Sequence, residues 1–399
     1  MKRAGDPLLK CRKEFPILDK TTYLISNSLG AMPRAVYNRM QEYADTWSSR
    51  GVRAWAEEWW EMSVTVGDII APLIGAKPSE ISMHTNISLL QAMLISCFDF
   101  RGKRNTIILN DMEFPSVLYV YQQFAAALGA RLKIVTSDDG ITIATQKLVD
   151  AIDEKTLLVP ISHVLFKSAY IQDVKSITEK AHKCGAIVIL DSYHSVGVIP
   201  VDVRKLGVDI LVGGVLKWLC GGPGGTFLWI RPLLRNKLKP KITGWMAHKR
   251  PFAFETTMQY STDATRFLTG TPSIPALYAI QEGPKIISCI GIENIRRKSK
   301  RQTVLLMEEA KKNDFQCMSP KNPEQRAGTV TVKVPHAYEV SRELLRRQII
   351  VDYREGAGIR LAPHFYNSDE EIISAIHEIR EILDSKAYRK HSKRKGTVT

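Results

Sequence analysis

IVILDSYHSVGVIPVDVRKLGVDILVGGVLKWLCGGPGGTFLWI, residues 187–230, holds three short runs of branched and aromatic residues, IVILD, VDILVGG and TFLWI, separated by turns rich in glycine and proline. Short apolar runs bounded by turn signals read as strands buried on both faces. Outward toward the amino terminus the same pattern continues with TIILN (Thr106–Asn110), the helical FPSVLYVYQQFAAALGA, RLKIVT, a helix near Ala144 to Ile152, LLVPIS and a helix across Val174 to Cys184. Strands alternating with helices predict an α/β fold, a mostly parallel sheet covered by helices on both faces. Ligands of such sheets bind beyond the carboxyl ends of the strands, so Asp191, which closes IVILD, is expected at a site.

The 399 residues are 44% hydrophobic, enough for a large core and about two domains. Residues 51–264 are expected to form the large domain, whose helix EEWWEMSVTVGDIIAPLIG begins near Glu57. A smaller α+β domain is expected over 265–385, with helices from Ile274 to Lys312, strands GTVTVKV (Gly328–Val334), IIVDY (Ile349–Tyr353) and GIRLAP, and a last helix from Asp369 to Leu383. Residues 1–50 are expected to pack on this small domain, and 386–399 to be a disordered basic tail.

The net charge of +15 raises the question of nucleic acid, because basic side chains that neutralise phosphates supply most non-specific affinity. Its distribution argues otherwise: the densest runs, Arg296 to Arg301 and Lys386 to Lys395, read as a solvated helix face and a frayed end. No nucleic-acid partner is expected. The six cysteines form neither a CxxC pair nor a Cys/His cluster, so no disulfide framework and no metal site is expected. A reducing cytoplasm fits them. The charged amino terminus lacks a following apolar run, and no segment is long and apolar enough to span a bilayer, so neither secretion nor a membrane is expected.

Taken one at a time, Asp191 reads as a helix cap, His194 as a core histidine and Lys217 as a surface lysine. Together they form a specific constellation: a carboxylate at a strand end, a histidine three residues on, and a lysine between an apolar run and the turn Gly221-Gly222-Pro223-Gly224-Gly225. A lysine so placed can lose its proton and act as an amine nucleophile toward a carbonyl. Arg360 stands inside an otherwise apolar strand and needs an anionic partner.

Across residues 23 to 383 the chain resembles the fold-type I pyridoxal-phosphate enzymes of aminotransferase class V, and among them the kynureninases. The resemblance rests on YLISNSLGAMP (Tyr23–Pro33), RAW (Arg53–Trp55), EFPSVLY (Glu113–Tyr119), DSYHSVGVIPVDV, GWMAHKRPFAF (Gly244–Phe254), RFLTGTP (Arg266–Pro272) and IRLAPHFYN (Ile359–Asn367). It implies pyridoxal 5'-phosphate held by Lys217 as a Schiff base, with Asp191 on the pyridinium nitrogen and His194 beside the ring. It also implies Phe114 stacked on the ring, Thr85, Asn86 and Ser116 around the phosphate, and Trp245 and Thr271 reaching the phosphate from a neighbouring subunit of a homodimer. Asn27, Ser28, Trp55 and Arg360 would meet the substrate, Arg360 by forking its carboxylate. Read from the residues alone, Phe114, Trp55 and Trp245 are equally packing residues, and Thr85 and Asn86 ordinary caps.

Two positions depart from the kynureninase pattern. Leu216 stands where those enzymes carry a tyrosine just before the lysine, and Val117 where they carry an aspartate. The activity implied is hydrolytic Cβ–Cγ cleavage of a kynurenine-type amino acid, giving alanine and an anthranilate-type acid. The alternatives are another class V reaction, namely amino transfer, β-elimination or desulfuration, or epimerisation, and a non-catalytic or nucleic-acid-binding relative that kept the fold.

Overall fold

The computed structural model describes residues 6–391. Its strands are β1 (Thr22–Tyr23), β2 (Ile81–His84), β3 (Thr106–Asn110), β4 (Arg131–Val135), β5 (Thr156–Ser162), β6 (Ile187–Asp191), β7 (Ile210–Gly214), β8 (Thr226–Ile230), β9 (Gln316–Cys317), β10 (Val330–Lys333), β11 (Ile349–Ile350), β12 (Asp352–Arg354) and β13 (Gly358–Leu361). The α-helices of the amino-terminal half are α1 (Val36–Arg50), α2 (Met62–Ile70), α3 (Ile87–Ile95), α4 (Pro115–Leu128), α5 (Thr145–Ala151) and α6 (Val174–Lys183). They are followed by α7 (Val203–Leu206), α8 (Pro232–Arg235), α9 (Ile274–Ala279), α10 (Glu282–Ile290), α11 (Ile292–Lys312), α12 (Ala337–Arg346) and α13 (Asp369–Asp384).

Seven strands make the central sheet in the order β2-β8-β7-β6-β5-β3-β4. From β4 through β7 all pairings are parallel, and β8 enters antiparallel between β7 and β2. Strand β2 therefore runs with β7, and the chain leaves β2, β3, β5, β6 and β7 at one edge of the sheet. Strands β6, β7 and β8 are buried almost throughout, as expected of strands covered on both faces. One apolar cluster fills one side, with Val188, Leu190, Leu211, Phe227 and Trp229; a second fills the other, with Ile189, Ile210, Val212, Leu228 and Ile230. The alternation of consecutive strand residues between the two clusters is the period-two signature of a strand.

The carboxyl-terminal unit is a four-stranded antiparallel sheet, β12-β13-β10-β9, packed through Val330, Val332, Ile359 and Leu361 against α11, α12 and α13. Helix α13 starts at a capping box in which Ser368 and Glu371 satisfy each other's backbone N–H groups. The amino terminus joins this unit: β1 pairs in parallel with β11, Arg12 is paired with Glu371 at 2.8 Å, and Phe15 packs on Phe365 and Tyr366.

Several expectations change. The segment expected to be one helix from Glu57 is three pieces, a π-helical turn Trp55–Trp59, α2, and a 3₁₀ turn Ala71–Ile74 with Pro72 in it. The run Arg296 to Arg301 is only in part a solvated face: Arg297 and Arg301 are exposed, but Arg296 is buried and donates to the carbonyls of Pro323 and Arg326, and Lys298 is buried against Phe365 O at 2.6 Å and Asp6 at 2.8 Å. Lys298 thus ties α11 to the amino terminus and Arg296 ties it to the 323–326 loop, so neither of these two cations is offered to a polyanion. The tail expected to be disordered from residue 386 begins with an ordered turn, Ala387–Lys390, in which Tyr388 stacks on His336 at 4.3 Å; its remainder lies outside the described residues. Among the described residues no helix is long and apolar enough to cross a membrane, and no cluster of three or more metal-ligating side chains occurs.

Candidate active site

The shared edge of the central sheet gathers the chemistry. Asp191 ends β6, and its Oδ1 accepts the Tyr193 backbone N–H at 2.9 Å. Its other oxygen has no partner among the described residues. The turn that follows delivers His194, and the loop leaving β7 delivers Lys217, whose Nζ lies 2.6 Å from His194 Nε2. The lysine ammonium sits between two rings, 5.5 Å from the centroid of Phe114 and 5.1 Å from that of Tyr193.

Burial sets the electrostatics of this group. Desolvation, with help from Arg360 and Arg354 and against Asp191, pulls Lys217 down to about 7, so its amine is available near neutral pH. Burial and the lysine hold His194 well below the ordinary histidine range, so it is neutral and offers Nε2 as an acceptor. Burial lifts Asp191 to about 6. A cationic ring nitrogen beside it would restore full ionisation, since an opposite charge favours the charged form.

The turn carrying Asn27 and Ser28 is brought here by two contacts. Ile25 bridges to Ala362 just beyond β13, and Gly30 N donates to Leu216 O at 2.8 Å. A β-carbon on Gly30 would collide with the carbonyl of Lys217 and with Cys220, so only glycine admits the approach. Gly30→Ala is expected to push this turn off the lysine loop, with an overpacking cost of about 1–3 kcal/mol; a lower urea midpoint together with weaker cofactor binding checks it.

Asn27 is buried, and neither its amide nitrogen nor its oxygen has a partner among the described residues. Ser28 Oγ accepts from Arg354 Nη2 at 3.3 Å. Arg360 lies within 2% of complete burial, and its guanidinium is taken up by the chain itself: Nε donates to Asp352 Oδ1 at 2.6 Å, Nη2 to Asp352 Oδ2, and Nη1 to Phe166 O at 2.6 Å. The anionic partner that the sequence demanded of Arg360 is thus present within the fold as Asp352, and two of the five N–H groups remain for a ligand.

The other expected residues are dispersed more widely. Asn86 caps α3, its Oδ1 accepting from Leu89 N at 3.0 Å, and Thr85 stands exposed just before it. Ser116 lies in the first turn of α4, and Phe114, 36% exposed and edge-on to Phe166, is not a core residue. Trp55, half-buried, packs edge-on to Trp59 against the apolar core. Trp245 and Thr271 are exposed, Trp245 in a surface cluster with Trp60, Phe252 and Phe254. Val117 is wholly buried among Leu90, Tyr121 and Val212, so its side chain belongs to the core.

Residues that sequence reasoning passed over complete the site. Tyr193 stands over the lysine with its hydroxyl 3.0 Å from Thr226 Oγ1, in space that exists because a β-carbon on Gly214 would meet its ring. Thr226 is the register partner of His84, next to the start of α3. Glu113 is buried under Asp191's neighbour strand, accepting from Ser162 N and Asn110 Nδ2 and lifted by burial to about 7. The pairing of glycines with the bulky Tyr193 was a signal available in the sequence.

The sequence matches the aminotransferase class-V family over residues 22–362. The chain belongs to that family. Its class-V character extends to curated relatives of nearly equal length: a kynureninase of Burkholderia mallei (strain SAVP1) is 32% identical over 397 residues, 96% of this chain and 94% of that protein. A kynureninase of Pseudomonas fluorescens is 32% identical over 400 residues with the same coverage. Among solved structures, the apo cysteine desulfurase of Thermococcus onnurineus NA1 superposes with a TM-score of 0.85 at 24% identity, covering 96% of this chain and 100% of that one. The cystine C–S lyase C-DES, in complex with its reaction product cysteine persulfide, gives 0.83 at 20% identity over 92% and 99%. At these identities the two structures establish the class-V fold alone.

Proposed function

We propose that this chain is a pyridoxal-phosphate-dependent hydrolase that cleaves the Cβ–Cγ bond of kynurenine-type amino acids, releasing alanine and an anthranilate-type acid. The observation that carries the reading is the half-buried amine of Lys217 between His194, Phe114 and Tyr193, beside a strand-end carboxylate with one oxygen unengaged. Near-full-length likeness to kynureninases supports this outcome over the other class-V reactions.

The residues fit the cofactor. Lys217 Nζ would hold it covalently, Asp191 would take its ring nitrogen, Phe114 would lie against its face, and the N-terminus of α3 with Thr85 and Asn86 would receive its phosphate. When bound, the group supplies an electron sink for the pair released at the substrate Cα. Lys217, pulled down to about 7 by its pocket, would be the base available to the substrate Cα proton. His194, itself neutral, accepts from the lysine and fixes where Nζ points. The Asn27 amide, unpartnered among the described residues, is available to a substrate oxygen.

A homodimer with composite sites is part of the same reading, supported by the aromatic surface of Trp60, Trp245, Phe252 and Phe254, which a second copy would cover. Cytoplasmic residence is supported by six cysteines, all free.

The test is to incubate cofactor-loaded protein with kynurenine and 3-hydroxykynurenine and to look for anthranilates and alanine. Release of alanine and the matching anthranilate is the expected result; cofactor spectra that respond to the amino acid without either product would overturn the hydrolase reading and raise another class-V reaction. A pH dependence follows as well. Because burial pulls Lys217 down to about 7, its neutral fraction grows as pH rises through that value. Covalent cofactor uptake by the apoprotein is therefore expected to accelerate about tenfold per unit below pH ~7 and then level off, whereas a lysine of ordinary pKa ~10.4 would keep climbing into the alkaline range. Stopped-flow absorbance measures it.

A further inference from the structure

We propose that Arg354 is a direct contact of the substrate's carboxylate, sharing that anion with Arg360 and Asn27, and that it makes the enzyme select free amino acids over their carboxamides. The inference rests on the reading above that the substrate is an amino acid, though not on which bond is cleaved.

The hairpin explains how the two arginines meet. Asp352 and Arg354 are alternate residues of β12 and share a face, while Arg360 on β13 lies directly opposite Asp352 in register. One carboxylate thus faces two guanidinium groups: Arg354 Nη2 is 3.1 Å from the same Asp352 Oδ2 that Arg360 engages. The corner carries a surplus of one positive charge, and a partly desolvated surplus charge favours a counter-ion.

The two cations differ in access. The Arg360 side chain is 2% exposed and held on three sides, whereas that of Arg354 is 21% exposed and directed against Ser28, next to the unpartnered amide of Asn27. Both arginines act electrostatically on Lys217, so the surplus charge is felt at the reacting amine. A single negative charge with two acceptor oxygens matches one surplus positive charge, the remaining N–H groups of the two forks and one amide donor. A phosphate dianion would overmatch it, and the start of α3 across the sheet edge provides a better place for that group.

The experiment uses the cofactor-loaded enzyme, titrated with L-alanine and with L-alaninamide while the cofactor absorbance is followed. In Arg354→Gln the affinity for L-alanine is expected to fall by about 10- to 100-fold, the loss of a charge-assisted contact, with alaninamide unchanged. Arg354→Lys, which keeps the charge and loses the fork, should fall between, with an unchanged melting temperature as the control for folding. Equal weakening of the acid and the amide, or an undiminished affinity for L-alanine, would overturn the proposal. If residue 354 governs the discrimination while wild-type enzyme releases no anthranilate from kynurenine, the carboxylate contact stands and the hydrolase reading falls.

Discussion

Lys217→Ala is expected to remove turnover entirely and with it the cofactor link that borohydride reduction would fix to the chain. Two functions converge on one nitrogen. As the proton-transferring base alone, the lysine accounts for roughly 10²- to 10⁴-fold in rate, and it is also the covalent anchor. The fold should survive, because the side chain removed is a half-buried amine whose charge is disfavoured by its surroundings, so the melting temperature should hold while activity disappears. Lys217→Arg is the sharper control. Arginine keeps a cation between the rings of Phe114 and Tyr193 yet does not deprotonate at any working pH, so it should be as inactive as alanine. Mass spectrometry of the reduced protein decides the matter: a cofactor adduct on any other lysine would refute the assignment.

Asp191, His194 and Lys217 were legible in the sequence because each sits at a turn immediately after a strand whose apolar run is unmistakable. Position along the sheet edge follows from the strands, and the strands follow from composition. Tyr193 was hidden between two better-marked residues, and what identifies it is the emptiness opposite: Gly214 closes β7 and leaves room for its ring. Lys217 also lies beside the ring of Phe114, which comes from the far side of β5, and no local pattern announces that contact.

The fold was read well where periodicity is strong and less well where tertiary contacts override it. Helices α5, α6 and α13 fall where the sequence put them, to within a residue or two. Strand β2 went unseen because ISMH is only four residues long, with two polar side chains, and it is stabilised by pairing with the distant β8. IIVDY reads as one strand in the sequence; it divides into β11 and β12, which join different sheets, because its first two residues are recruited by β1. Such long-range pairings leave no periodic trace.

The largest effect on stability is expected at Asp352, whose removal exposes the arrangement most concealed from sequence reading. Asp352→Ala would leave Arg360 buried without its carboxylate and Arg354 beside it, two like charges with one anion taken away. Breaking a buried ion pair from one side costs about 3–5 kcal/mol, because the surviving charge remains desolvated. A fall of that size in unfolding free energy, measured in urea, is the expected result, accompanied by loss of the β12–β13 register that holds Arg360. A second substitution separates charge from shape: Asp352→Ala with Arg354→Met relieves the repulsion and should recover more than half of the loss. A loss below about 1 kcal/mol in the single variant would be the scale of a solvent-exposed pair, and would mean that water already neutralises this corner. In that case the surplus charge invoked for substrate binding would lose its physical basis, so a stability measurement on apoprotein bears directly on how the enzyme recognises a carboxylate.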